Sequence, residues 1–102
     1  MYDKMIIRIV KMTFKEESIE DFLTLFETIK DKIVACDGCS HLELLKDEKE
    51  DNVFFTYSHW ASLDHLDDYR NSELFDEIWP NVKAMFSEQP QAHSLYNIDK
   101  AE

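Results

Sequence analysis

The sequence predicts an α+β fold of the ferredoxin-like type, β-α-β-β-α-β: a four-stranded antiparallel sheet with helices on one face, paired with a second copy as a dimeric β-barrel. Three observations predict it. Strand-like segments at 5–14, 40–46, 53–60 and about 92–98 alternate with helical periodicity over 18–35 and 61–86. One Gly and two Pro in 102 residues leave few special turns and long regular elements. Strands one and three carry large apolar residues at both parities, so both sheet faces need cover, and one domain's helices supply only one.

Each element has its own signal. Residues 5–14, M-I-I-R-I-V-K-M-T-F, are β-branched and apolar; Met5, Ile7 and Ile9 share one face, and Ile6, Val10, Met12 and Phe14 the other. Ser18 followed by Asp21 resembles a capping box. Ile19, Phe22, Leu23, Phe26, Ile29 and Ile33 then recur at three and four, predicting a helix over 18–35. Asp37-Gly38 ends it, because Gly accepts the left-handed conformation that follows a helix. Strand two spans 40–46 with Leu42 and Leu44 on one face, and the charged segment 46–52 suits a hairpin loop. Strand three, 53–60, offers Val53, Phe55 and Tyr57 against Phe54 and Trp60. Ala61 or Ser62 starts a helix to about Arg70; Asn71-Ser72 caps a further stretch carrying Leu74, Phe75, Ile78, Val82, Met85 and Phe86. Pro80 is expected to break or kink that stretch, since it lacks an amide hydrogen and crowds the preceding turn. Pro90 separates it from strand four, and residues 1–4 and 99–102 are expected to fray.

The formal charge of −11, from 22 acids against 11 Lys and Arg, repels a phosphate backbone and argues against nucleic-acid binding. No apolar run approaches the ~20 residues of a membrane span, and no signal-peptide pattern opens the chain. The expectation is a cytoplasmic protein with no membrane partner. Cys36 and Cys39 form C-x-x-C, but a zinc site needs two further ligands at suitable spacing and a redox motif opens a helix instead of following one. Ordinary thiols at a turn are expected, with no metal.

The fullest motif is F-F-T-Y-S-H-W-A-S-L-D-H-L-D-D-Y-R-N-S-E-L-F, residues 54–75, supported by I-x-x-F-L-x-x-F in helix one and C-D-G-C-S-H-L-E-L-L entering strand two. With these features the chain resembles the antibiotic biosynthesis monooxygenase family, small dimeric α+β barrels, over about 5–97. Within it the chain looks most like the quinol monooxygenase-type members, which bind no cofactor. Its charged segment K-E-E-S-I-E-D-F also resembles a branch of autoinducer-processing isomerases. Haem-degrading members use an Asn, a Trp and a His where this chain has Ile9, Tyr69 and Trp79, which argues against haem degradation. Polyketide-oxidising members use an Asn where this chain has Thr56.

The resemblance implies a substrate of hydroquinone or polyphenol type and dioxygen, held in a dry apolar pocket with a base near neutrality. Histidine is the natural base. His65 is the first candidate: it stacks with Tyr69 four residues on, at the edge of the helix face carrying Leu63, Leu66 and Arg70. Its structural alternative is a partly exposed helix residue. His59, sharing a strand face with Tyr57 and Phe55, is second; its alternative is a place in the dimer interface. Arg8, a lone charge in an apolar strand, could steady a phenolate or pair with an acid such as Glu43. Tyr57, Trp60 and Tyr69 would shape the pocket, and Trp79 could roof it or serve as core. His41 and His93 sit near strand ends, where surface roles are the default. Two other functions compete: an isomerase of a small (phospho)sugar-like metabolite, for which few basic residues are available, and a non-catalytic ligand-binding dimer.

Overall fold

The computed structural model describes residues 4–101. Eight elements follow in order: β1 (Ile6–Thr13), a 3-10 turn (Glu16–Ser18), α1 (Ile19–Val34), β2 (Cys39–Lys46), β3 (Val53–Trp60), α2 (Leu63–Arg70), α3 (Glu73–Lys83) and β4 (Gln91–Leu95). The strands form one antiparallel sheet in the order β2-β3-β1-β4. This is the expected ferredoxin-like arrangement, with the two terminal strands of the chain side by side and the β2–β3 hairpin at one edge. Of the ends expected to fray, residues 1–3 and 102 lie outside the described residues.

Strand parity divides the sheet into two unlike faces. Ile6 opposes Trp60, Arg8 opposes Ser58 and Ser94, and Met12 opposes Phe54. Ile6, Met12, Phe54 and Trp60 meet Phe22, Ile29 and Ile33 of α1, Leu66 of α2, and Ile78 and Val82 of α3 in one core. Phe14, fully buried just past β1, stacks on Phe22 and meets Phe54 and Phe86 edge-on or tilted. All three helices therefore cover the same face. The other face carries Ile7, Ile9, Phe55, Tyr57 and His59, half-buried, with Leu45 and Leu95 more exposed at its flanks. Among the described residues, no element covers it.

Four local expectations are corrected. Ser18 makes no side-chain cap: its backbone is helical, not extended, and its amide donates to the Lys15 carbonyl in a 3-10 turn. An Ncap oxygen reaches the N3 amide from an extended backbone, so the capping box does not form. Pro80 does not end α3, which runs on to Lys83. Ile78 and Val82, on either side of it, are both buried, and that packing holds the helix across the missing hydrogen bond. Strand four is shorter than expected, Gln91–Leu95, and exposed along its length, as befits an edge strand with one neighbour. Arg8 does not pair with Glu43: β3 lies between their strands, and Glu43 shares a hydrogen bond with His41. Ser62 and Ser72 do cap α2 and α3, accepting from the amides of His65 and Phe75.

The turn between α1 and β2 depends on Gly38, at φ +85°. Its carbonyl accepts from the Ala61 amide at 2.7 Å, tying this turn to the β3–α2 junction. A Cβ there would overlap the His65 ring. Gly38→Ala should therefore lower stability by about 2 kcal/mol or more, a left-handed penalty of about 1–2 kcal/mol with a steric clash added. In a His65→Ala background only the left-handed part should remain. Urea denaturation of the four proteins checks this; an equal penalty in both backgrounds would remove His65 as the contact.

Candidate functional site

A cavity of about 270 Å³ lies between the helix-covered face of the sheet and the three helices. Its floor is Arg8, Val10 and Met12 from β1 with Thr56, Ser58 and Trp60 from β3. Its walls come from Phe22 and Phe26 of α1, Leu66, Tyr69 and Arg70 of α2, and Phe75, Ile78 and Trp79 of α3. A pocket of this kind, mostly apolar with a few polar groups, is where a small ligand sits by default.

Aromatic rings line one side as a continuous series. Trp60 stacks on Tyr69 with centroids 5.0 Å apart. Tyr69 meets Phe75 edge-on at 5.3 Å, Phe75 stacks on Trp79 at 5.6 Å, and Trp79 meets Phe86 at 5.7 Å. The series crosses from strand to α2 to α3, so it fixes both helices to the sheet. Trp60 is only 1 % exposed. A buried indole N–H needs an acceptor, and Ser58 Oγ, two residues back on the same strand face, accepts it at 3.0 Å.

Charge enters the cavity from two arginines. Arg8 is half-buried, and its Nη1 donates to Ser94 Oγ on β4 at 2.8 Å. Burial holds its pKa below the usual arginine value; Arg70 beside it pushes the same way, and Asp67 opposes. Arg70 ends α2 and is exposed, which places it at the rim. Burial drives the Tyr69 phenol well above its ordinary range, with the Cys36 and Cys39 thiols adding to the shift. Tyr69 can therefore donate a hydrogen bond but does not act as a base near neutrality. The two cysteines are free, and burial pushes both thiols up as well.

The structure brings Arg8, Trp60, Tyr69 and Trp79 together on this cavity and places Tyr57, His59 and His65 elsewhere. Tyr57 and His59 have the opposite strand parity to Trp60 and point to the open face. There His59 Nε2 lies 3.0 Å from the Tyr57 hydroxyl, and its ring centroid lies 5.0 Å from that of His41. His93, opposite Ile9, is on that face too. His65 sits over Gly38, with Nδ1 2.7 Å from Ser62 Oγ and Nε2 3.6 Å from Asp37. Its side chain is 34 % exposed and does not line the cavity. Sequence reasoning missed Ser58 as a member of the site and Ser94 as the partner of Arg8. Ser58 could have been found from its parity with Trp60; Ser94 follows only once the β1–β4 register is known.

Comparison with known proteins agrees with this architecture. No curated protein matches the chain. Among solved structures, Rv0793 from Mycobacterium tuberculosis superposes with a TM-score of 0.86 at 16% identity, covering 96% of this chain and 99% of that one. A "putative antibiotic biosynthesis monooxygenase" from Caulobacter crescentus CB15 gives 0.87 at 17% identity, covering 96% and 93%. A conserved protein from Methanosarcina mazei Go1 gives 0.86 at 17%, covering 90% and 91%. At these identities the likeness is one of fold. The sequence itself matches the family model "Antibiotic biosynthesis monooxygenase" over residues 5–79, from the start of β1 through most of α3 and so through nearly every wall of the cavity. The chain belongs to the antibiotic biosynthesis monooxygenase family.

Proposed function

We propose that the protein is a cofactor-independent monooxygenase acting on a quinol or polyphenol-like small molecule, with the ring system bound in the cavity. The observation that carries this reading is the aromatic series Trp60–Tyr69–Phe75–Trp79 along a largely apolar cavity that also holds a guanidinium. Rings of the substrate stack on such a wall, and the apolar lining excludes water from the reacting carbon.

The chemistry needs an electron-rich phenolate and dioxygen. A hydroquinone that takes up O₂ at a ring carbon and then loses one water becomes a hydroxyquinone; the ring is oxidised, one oxygen atom is inserted, and the other leaves as water. The protein's part is to favour the phenolate. Arg8, with Arg70 at the rim, lowers the cost of that negative charge inside an apolar space. No carboxylate or imidazole is among the side chains lining the cavity. The proton therefore leaves by the arginine-bearing rim to water, and His65 and His59 stand outside the cavity.

The family reading also supports a homodimer built on the open sheet face. Ile7, Ile9, Phe55 and Tyr57 form an apolar centre there that a second copy would cover. His59 would then lie within the interface.

Oxygen uptake with hydroquinone and naphthoquinol substrates should exceed autoxidation without added metal or flavin, and Arg8→Gln should reduce it about tenfold or more. His65→Ala and His59→Ala should leave most of the rate; a loss of about 10²-fold in either would identify that histidine as the base. Light scattering at micromolar concentration should give the mass of two chains, and Phe55→Lys should give the mass of one. A wild-type monomer would refute the interface.

A further inference from the structure

Two guanidinium groups share one apolar cavity, and neither pairs with a carboxylate among the described residues. The ion pairs among the described residues involve Lys30, His41, Lys46 and His65, and no arginine. Arg8 uses one of its five donors on Ser94. Asp67, one turn before Arg70, acts on Arg8 from beyond ion-pair distance. The chain holds twice as many acids as bases, 22 against 11, so carboxylates are plentiful. Yet among the described residues none stands within ion-pair distance of either arginine.

Two like charges brought close together and partly out of water are costly unless something negative completes them. Arg70 gains a little from the helix dipole at the C-terminus of α2, but Arg8 has no such support on its strand. The other lining groups fix what else the occupant can be. Thr56, Ser58 and Tyr69 are the remaining polar side chains that could bind a ligand on a wall otherwise made of aromatic and aliphatic surface, apart from the indole of Trp79. Of these, Ser58 is already engaged by Trp60. That is too little hydrogen bonding for a sugar, whose hydroxyls would each lose water without replacement.

We propose that Arg8 on the floor and Arg70 at the rim form an anion-binding pair, and that the cavity takes an aromatic acid: a flat ring body against Trp60, Tyr69 and Trp79, with a carboxylate across the two guanidiniums. This rests on the reading of the cavity as the substrate site and adds to it the charge of the substrate. The acidic exterior of the protein does not draw such a molecule in, so its selectivity comes from the two arginines at short range. Fork-shaped guanidiniums suit a two-oxygen acceptor better than a single hydroxyl.

The test is calorimetric titration of the whole protein with 2-naphthoate and its uncharged counterpart 2-naphthamide. The wild type should bind the carboxylate about tenfold or more tightly than the amide. Arg8→Gln and Arg70→Gln should each remove most of that preference without changing the affinity for the amide. Arg70 is exposed at a helix end, so its variant keeps the test decisive if the β1 variant folds poorly. Equal affinities in the wild type, no binding of either probe, or a preference that survives Arg70→Gln would overturn the proposal. Selective binding of the naphthoate with no oxygen uptake from any quinol would sink the oxygenase reading and leave the anion site standing.

Discussion

The indole of Trp60 is the joint on which the structure depends. It closes β3, faces the helices, and is all but sealed from solvent. Its N–H is satisfied within its own strand by Ser58, so the ring needs no polar group from another element. Tyr69 stacks on it, which fixes the position of α2; Phe75 and Trp79 then extend the same contact to α3. One residue beyond Trp60, the Ala61 amide bonds the Gly38 carbonyl and draws in the turn that ends α1. Burial of one large ring thus ties strand, turn and helices together around the cavity, and truncating it would cost roughly 3–5 kcal/mol.

The same strand logic sorts the chemistry into two compartments. Parity sends Arg8, Ser58 and Trp60 to the helix side, and Tyr57 and His59 to the open side. The helix side has aromatic surface, two arginines and no ordinary base. The open side has three histidines, a tyrosine and apolar neighbours, and no cover from the other described residues. A reaction that needs the substrate as an anion fits the first compartment, since positive charge in an apolar space lowers the cost of ionising a phenol. The second compartment fits an interface.

Much of the fold was legible in the sequence because periodicity reports burial directly. The run of Phe22, Ile29 and Ile33 gave α1, and the aromatic run at 53–60 gave β3. Boundaries were less legible. Ser18 and Asp21 spell a cap, but the preceding 3-10 turn already holds the backbone in a helical conformation, and Pro80 is tolerated because buried neighbours on either side outweigh its missing bond. The site was legible where a residue's face follows from its own element, as for Trp60 and Arg8. Arg8's partner was not, because the choice between Glu43 and Ser94 depends on strand order, which no local pattern encodes. His65 shows the other limit. Its spacing to Tyr69 is helical, yet Gly38 leaves a gap that the imidazole fills from outside the cavity.

The central claim is that ligand chemistry belongs to the helix-side cavity and not to the histidine-bearing face. The most direct measurement is an amide and indole proton–nitrogen correlation spectrum recorded while 2-naphthoate is added. The protein has two tryptophans, and both line the cavity. The account predicts that both indole N–H signals move together with the amides of Arg8, Tyr69 and Phe75, while those of His41, Tyr57 and His59 stay in place. Shifts centred on His41, Tyr57 and His59, with both indole signals still, would contradict it.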